Sequence, residues 1–145
     1  MVGIIVTGHG NFASGILSSL RLIAGEQEKL LGVDFTDDDS TESLEVKLQE
    51  AIQGLECDEV LVLSDLAGGS PFKVSVMLSQ KLSNKNIRVI SGTNLGMILE
   101  TSLCRDGMGV DDLVDFAMNS GISSIKAFEL KSVEEDEDIE ELDGI

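Results

Sequence analysis

Short apolar runs alternate along the chain with longer segments in which apolar residues recur every three or four positions. Val2 to Val6 is a β-branched run, and Phe12 to Ala24 carries its apolar residues at helical spacing. A continuous apolar run is typical of a strand that is buried on both faces of a parallel sheet. The pattern therefore predicts that the chain opens with a strand, a loop and a helix.

The same alternation continues and predicts a doubly wound α/β sheet. The further predicted strands are Leu30 to Phe35, Glu59 to Ser64, Ile87 to Ser91 and Ile125 to Leu130, and the further predicted helices are about 40–54, about 70–82, Leu95 to Leu103 and Val110 to Asn119. For four leading strand-helix units the most economical strand order is 2-1-3-4. The last strand follows two successive helices.

In a sheet of order 2-1-3-4 the winding reverses between strands 1 and 3, and ligands bind beyond the carboxyl ends of the strands at that point. The loop after strand 1 carries His9 between two glycines, and the loop after strand 3 begins at Asp65. Neighbouring strands lie about 4.8 Å apart, so we expect the two side chains to share a hydrogen bond. A carboxylate on Nδ1 would fix the imidazole tautomer and leave the Nε2 lone pair free as a nucleophile.

The loop after strand 3 also predicts a site for a phosphate-sized anion. Gly68 and Gly69 can turn successive N–H groups inward. Ser70 and Pro71 have the pattern of an N-cap and a first helical residue, which would bring the positive end of a helix to the same place. The loop lacks the lysine and spacing of a P-loop, so nucleotide binding has little support.

Each of these residues also has a purely structural interpretation. A lone His9 can be exposed without a role, Asp65 can be a turn or capping residue, and Gly-Gly-Ser-Pro can be an ordinary start of a helix. One histidine and one aspartate are too few ligands for a metal, so we expect neither metal nor cofactor. Gly-x-Ser-x-Gly is absent, which disfavours a serine hydrolase.

Charge narrows the choice of partners. Among the 145 residues, 27 acids and 10 bases give a net charge of −17, which repels nucleic acid and anionic lipid. Eight of the acids lie in residues 132–145, with no base. We therefore expect one domain over residues 1–131 and an acidic, disordered tail over 132–145.

The cysteines and the first twenty residues indicate the cellular compartment of the protein. Cys57 and Cys104 are isolated, so we expect both to be reduced core residues. The first twenty residues contain no acid or base, but polar residues interrupt them and no positive segment precedes them, unlike a signal peptide or membrane span. These observations favour a soluble, cytoplasmic protein.

Two segments together resemble a known family. Ile4 to Gly10 (IIVTGHG) with Asp65 to Phe72 (DLAGGSPF) is similar to the IIA component of mannose-class phosphoenolpyruvate-dependent sugar phosphotransferase systems, the mannose/fructose/sorbose type. The similarity runs from Met1 to about Leu130 and includes the Ser-Gly-Thr-Asn-Leu loop from Ser91. Each motif is weak singly, and the pair is specific.

The resemblance implies a phosphohistidine carrier. By it, His9 accepts a phosphoryl group from the phosphocarrier protein HPr and passes it to a IIB component, while membrane subunits IIC and IID import the sugar. Asp65 would orient His9, and Gly68, Gly69 and Ser70 would hold the phosphoryl oxygens. The family also implies a homodimer in which the last strand crosses to pair antiparallel with the partner's sheet. No IIB domain follows in this sequence, which implies a separate IIB chain.

Other functions remain open at this point. The IIA-like subunit that serves dihydroxyacetone kinase shares the fold and histidine chemistry, although Gly-Gly-Ser-Pro favours the sugar-transport branch. A regulatory module could instead accept phosphate on Asp65, although a receiver of that kind would place paired acids where His9 stands. A nucleotide sensor is the third alternative. An apolar rim for protein partners is also expected, formed by Phe12, Leu66, Phe72, Leu95 and Met97.

Overall fold

A computed structural model of the chain describes residues 1–130, and the expected acidic tail at 132–145 lies outside the described residues. Strands and helices alternate as predicted until two helices close the series. The strands are β1 (Gly3–His9), β2 (Leu30–Phe35), β3 (Glu59–Ser64) and β4 (Asn86–Ile90). The helices are α1 (Phe12–Ala24), α2 (Thr41–Gly54), α3 (Ser70–Lys81), α4 (Leu95–Cys104) and α5 (Val110–Ser123).

The four strands form one parallel sheet of order β2-β1-β3-β4, which confirms the predicted topology. In the register of β1 and β3, Thr7 lies opposite Ser64. In the register of β1 and β2, His9 lies opposite Phe35. The carboxyl ends of β1 and β3 are therefore neighbours, and the loops that follow them meet at one edge of the sheet.

Helices cover both faces of the sheet because successive strand residues point to opposite sides. Ile4 and Val6 of β1 pack in one core with α1, α4 and α5. Ile5 packs in the other with α2 and α3. All three side chains are fully buried, which explains the uninterrupted apolar run at the start of the chain.

Arg105 ties the amino end of the sheet together. It follows α4, is 2% exposed, and donates to the carbonyl oxygens of Val2 and Lys29 at 3.0 and 3.1 Å and to that of Glu28. Burial lowers the pKa of this guanidinium, and nearby Asp106 opposes the shift. These bonds hold the start of β1 and the turn before β2 at the amino edge of the sheet, and His9 lies at the opposite, carboxyl edge.

The last strand, expected to pair with the sheet of a partner subunit, stays a prediction. Within the described chain, residues 125–130 form neither helix nor strand. Those residues pair with no strand of the same chain's sheet, so the ladder that defines a strand is missing. Cys57 is buried as expected, but Cys104 is exposed, because the inward side of α4 carries Ile98 and Thr101 instead.

No helix among residues 1–130 combines the length and the apolar character needed to cross a membrane.

Candidate functional site

His9 and Asp65 meet as expected at the carboxyl edge of the sheet. The imidazole Nδ1 lies 2.8 Å from Asp65 Oδ2, and the main-chain N–H of His9 donates to the same oxygen at 2.9 Å. The His9 side chain is 45% exposed, whereas that of Asp65 is 13% exposed. The carboxylate is therefore more buried than the imidazole, and it engages only one of the two ring nitrogens.

Asp65 is held in its ionised form. Its second oxygen accepts the Leu66 N–H at 2.8 Å. Burial raises the pKa of Asp65, but the hydrogen bonds from the His9 main chain, the His9 ring and Leu66 outweigh burial, and the pKa lies below its usual range. An ionised carboxylate only accepts hydrogen bonds, so Nδ1 carries the proton that joins the pair. In the neutral imidazole, Nε2 then holds the lone pair.

Gly69 lies against the ring beside that nitrogen. A Cβ at Gly69 would lie 2.7 Å from His9 Nε2 and 2.8 Å from His9 Cε1, and the residue has a φ of +89°, in the left-handed region. Gly8 is similarly confined, because a Cβ there would lie 2.8 Å from Asp65 Cγ and 2.5 Å from Phe12 Cδ1. These glycines let the main chain approach His9 and Asp65 closely.

Helix α3 begins beside the same nitrogen with no side-chain cap. In α1, α2, α4 and α5 a first-turn amide is bound by a side-chain oxygen, and the four pairs are Ser14 with Asp34, Ser43 with Ser40, Met97 with Asn94 and Val110 with Glu59. The N-cap of α3 is Gly69, which has no side chain to offer. Its positive end is therefore available to an external anion.

The predicted N-cap is shifted by one residue. Ser70 was expected to cap the helix, but the cap is Gly69 and Ser70 is the first residue of α3. The left-handed φ of Gly69 turns the chain into the helix one residue earlier. Pro71 then falls in the first turn, where its missing N–H costs nothing. Gly68 is exposed, and Gly69 and Ser70 are partly buried beside it.

Phe35 belongs to the site and was missed by the sequence reasoning. Its ring meets the His9 ring edge to face, with centroids 6.0 Å apart and an interplanar angle of 72°. Its carbonyl accepts the Gly10 N–H at 2.7 Å. The available signal was its place at the end of the second strand, opposite His9 once the strand order is assumed.

The expected apolar rim holds only in part. Leu66 is 59% exposed at the mouth of the site. Met97, in contrast, is 4% exposed and belongs to the core, because it lies on the inward side of α4. Phe12 and Leu95 are partly buried and pack against that core. Within residues 1–130, histidine, cysteine and carboxylate side chains form no group of three or more that could hold a metal ion.

The fold and this geometry define an α/β protein with a histidine-centred site at the winding reversal of its sheet. A family model described as "PTS system fructose IIA component" matches residues 3–118. The chain belongs to this family, the mannose-class IIA components of the sugar phosphotransferase system. Proteins of this family are phosphotransferase components.

Individual relatives agree with this membership. The chain is 32% identical over 135 residues to the mannose-specific EIIAB component of Escherichia coli K12, covering 92% of this chain but only 41% of that protein. It is 31% identical over 115 residues to the sorbose-specific EIIA component of Lacticaseibacillus casei, covering 79% and 82%.

Solved structures are similar in fold as well. An EIIA component from Streptococcus agalactiae matches with a TM-score of 0.83 and 46% identity, covering 88% of this chain and 98% of that one. A mannose/sorbose-specific IIA subunit from Enterococcus faecalis matches with a TM-score of 0.80 and 29% identity, covering 91% and 98%.

Proposed function

We propose that the protein is a phosphohistidine carrier that accepts a phosphoryl group from HPr on His9 Nε2 and passes it to a IIB component. The observation that carries this proposal is the position of Nε2, which belongs to a nearly half-exposed ring and lies against Gly69 at the uncapped start of α3. The relay would operate in the cytoplasm, as the family resemblance implies. The membrane subunits IIC and IID would take part only indirectly.

The proposed transfer follows from the two ring nitrogens. The Nε2 lone pair attacks phosphorus in line, the new N–P bond forms, and the bond to the phosphorylated histidine of the donor breaks. The proton stays on Nδ1. Asp65 Oδ2 accepts the hydrogen bond from this N–H and stabilises the positive charge that develops on the ring. The onward step to IIB is the same displacement with His9 as the leaving group.

The phosphoryl oxygens would lie at the amino end of α3. Gly69 and Ser70 bring main-chain N–H groups there, Ser70 adds a hydroxyl, and Gly68 leaves the approach open. Phosphoryl transfer depends on positioning and on charge stabilisation, and the helix end provides both without a metal. An exposed site with Leu66 at its mouth suits a carrier that must meet two different proteins.

The test is phosphorylation in a reconstituted relay. Incubation with enzyme I, HPr and phosphoenolpyruvate is expected to add about 80 Da, the mass of one phosphoryl group, in an acid-labile form. The His9→Ala variant is expected to show no adduct, and addition of a purified IIB component is expected to discharge it. A wild-type protein that gains no adduct would overturn the proposal.

A phosphoacceptor role for Asp65 has less support. Both carboxylate oxygens already accept hydrogen bonds, and the side chain is 13% exposed. Such a role predicts a Mg²⁺-dependent, hydroxylamine-labile adduct that survives His9→Ala. A dihydroxyacetone-kinase subunit has no observation of this structure in its favour.

We also propose that the protein is a homodimer joined through residues 125–130. Ile125, Phe128 and Leu130 are 75%, 66% and 90% exposed. Exposed apolar side chains in a segment without secondary structure are suited to adding a strand to a second sheet. The resemblance implies antiparallel pairing with the sheet of the partner subunit.

A further inference from the structure

The main chain of Asp65 is held from two sides. Its N–H donates to the carbonyl of Thr7 in β1 at 3.2 Å, and its carbonyl accepts the N–H of Gly92, in the loop after β4, at 3.1 Å. The carboxylate that holds His9 extends from this residue. Its position therefore depends on how the end of β3 is joined to the end of β4.

Ser64 makes that junction. It is the last residue of β3, it is fully buried, and its hydroxyl donates to the carbonyl of Ile90, the last residue of β4, at 3.0 Å. Its own carbonyl accepts the N–H of Thr93 at 3.2 Å. The regular pairing of the two strands ends at Leu63 and Ile90. Ser64 thus links β3 to β4 where the ladder stops.

The loop after β4 is shaped to return to β3. Gly92 has a φ of +73°, a conformation that side chains disfavour, and the adjacent Thr93 is buried. The turn brings the two successive N–H groups back to the carbonyls of Asp65 and Ser64. Ser64 and residues 90–93 together therefore join the end of β3 to the end of β4.

We propose that Ser64 is a positioning residue that acts on His9 through Asp65. One Asp65 oxygen accepts both hydrogen bonds from His9, so a small displacement of the Asp65 main chain weakens both at once. An alanine at position 64 keeps a small buried side chain but removes the hydroxyl that joins the ends of β3 and β4. The consequence is a carboxylate held less closely against Nδ1.

The experiment uses the single histidine of the chain, so that both imidazole ¹⁵N signals of the unphosphorylated protein belong to His9 and their shifts report the tautomer. In Ser64→Ala the share of neutral rings protonated on Nδ1 is expected to fall, and phosphorylation by HPr to slow about tenfold, within the usual effect of losing a residue that supports a site. Ser64→Cys keeps a weak donor and is expected to lie between alanine and wild type.

Ser102→Ala is the matched control. Ser102 is 6% exposed and its hydroxyl also donates to a main-chain carbonyl, that of Leu99 at 3.0 Å, but within α4. This control is expected to keep the wild-type tautomer and rate. All variants are compared at the same temperature interval below their unfolding midpoints, so that stability alone does not separate them.

The proposal is overturned if Ser64→Ala keeps the wild-type tautomer ratio, or if Ser102→Ala changes it equally. Only the rate measurement rests on the proposed carrier function. If wild-type protein is not phosphorylated on His9, the carrier function fails, and the tautomer ratio still decides whether Ser64 positions Asp65.

Discussion

In the proposed carrier the two ring nitrogens of His9 have separate tasks, because Nδ1 is hydrogen-bonded to Asp65 and Nε2 lies beside Gly69. Nδ1 is 2.8 Å from Asp65 Oδ2, and the ring as a whole is nearly half exposed. In the proposed transfer the Asp65 carboxylate keeps the proton on Nδ1 while Nε2 reacts with phosphorus. Substitution of Asp65 tests the role of Nδ1, and substitution of Gly69 tests the role of Nε2.

Asp65→Asn removes the negative charge and keeps the side-chain shape. Phosphorylation of His9 by HPr is expected to slow by about 10- to 100-fold, because the tautomer is no longer fixed and the positive ring in the transition state loses its counter-charge. Quench-flow mass spectrometry measures the rate, and far-UV circular dichroism checks that the fold is intact. His9→Ala is the inactive reference, and equal rates for Asp65→Asn and wild type would contradict the orienting role.

Gly69→Ala and Gly68→Ala form a matched pair. The first places a methyl group 2.7 Å from Nε2 on a residue with φ of +89°, whereas the second meets nothing within 4 Å. Gly69→Ala is expected to reduce phosphorylation at least about 100-fold, since misplacement of about 1 Å has an effect of that size. Gly68→Ala is expected to stay close to wild type. Similar losses in both variants would show that space at Nε2 is not the reason for the glycine.

At the scale of elements, hydrophobic periodicity predicts most of this fold and local cap chemistry predicts some of its boundaries. The bounds of β2 and β3 agree with the prediction, and Ser40, which begins the predicted helix, caps α2 through the Ser43 N–H. Caps supplied from distant strands escape such reasoning, since Asp34 and Glu59 reach α1 and α5 only after the sheet forms. The capping carboxylate is far along the chain from the helix that it caps, so no local sequence pattern predicts such a cap.

The candidate site divides in the same way. His9 and Asp65 follow from the strand order, because that order makes their strands adjacent. The contact of Phe35 with the imidazole requires the register as well as the order. Residues 125–130 form no strand within the described chain, because an apolar run forms a strand only when an edge is available to pair with it. The predicted pairing of this segment with a partner's sheet stays a prediction.

Asn94 gives a prediction at this scale. Its Oδ1 accepts the Met97 N–H at 2.9 Å, and its Nδ2 donates to the Gly121 carbonyl near the end of α5, also at 2.9 Å. Asn94→Ala therefore removes a cap and a link between two helices. The free energy of unfolding is expected to fall by about 2 kcal/mol, the upper part of the range for caps.

Urea denaturation measures this loss, and Ser40→Ala is the comparison because Ser40 caps α2 without a bond to a second helix. That variant is expected to lose about 1 kcal/mol, the usual cost of a cap alone. If the two variants lose the same free energy, the link from Asn94 to α5 contributes nothing measurable.

At the scale of the whole molecule, Asp65 couples the site to acid stability. Its pKa is lowered in the folded protein, because the hydrogen bonds from His9 and Leu66 together exceed the effect of burial. A carboxyl with a lowered folded pKa stabilises the native state above its unfolded pKa, about 3.9, and loses that contribution as pH falls through the folded value.

The difference in unfolding free energy between wild type and Asp65→Asn is therefore expected to be largest near neutral pH and to shrink below about pH 4. Urea denaturation at several pH values measures it. Asp39, whose pKa is also lowered, by its bonds to Thr36, Lys47 and Ser43, is present in both proteins and cancels from the comparison. A difference that grows as pH falls would contradict the lowered pKa.

The proposed dimer is the last property that belongs to the whole molecule. Wild-type protein is expected to have twice the chain mass by light scattering, because the proposal has residues 125–130 add a strand to the sheet of a second copy. Phe128→Asp places a charge in that segment and is expected to shift the protein toward the monomer. Leu22→Asp is the control, since Leu22 is 89% exposed on α1 and lies outside the segment.

Because His9 and Asp65 come from one chain, the Phe128→Asp monomer is expected to retain the Nδ1 tautomer. A wild-type monomer, or a dimer unaffected by Phe128→Asp, would reject assembly through residues 125–130 and leave the histidine site unchanged.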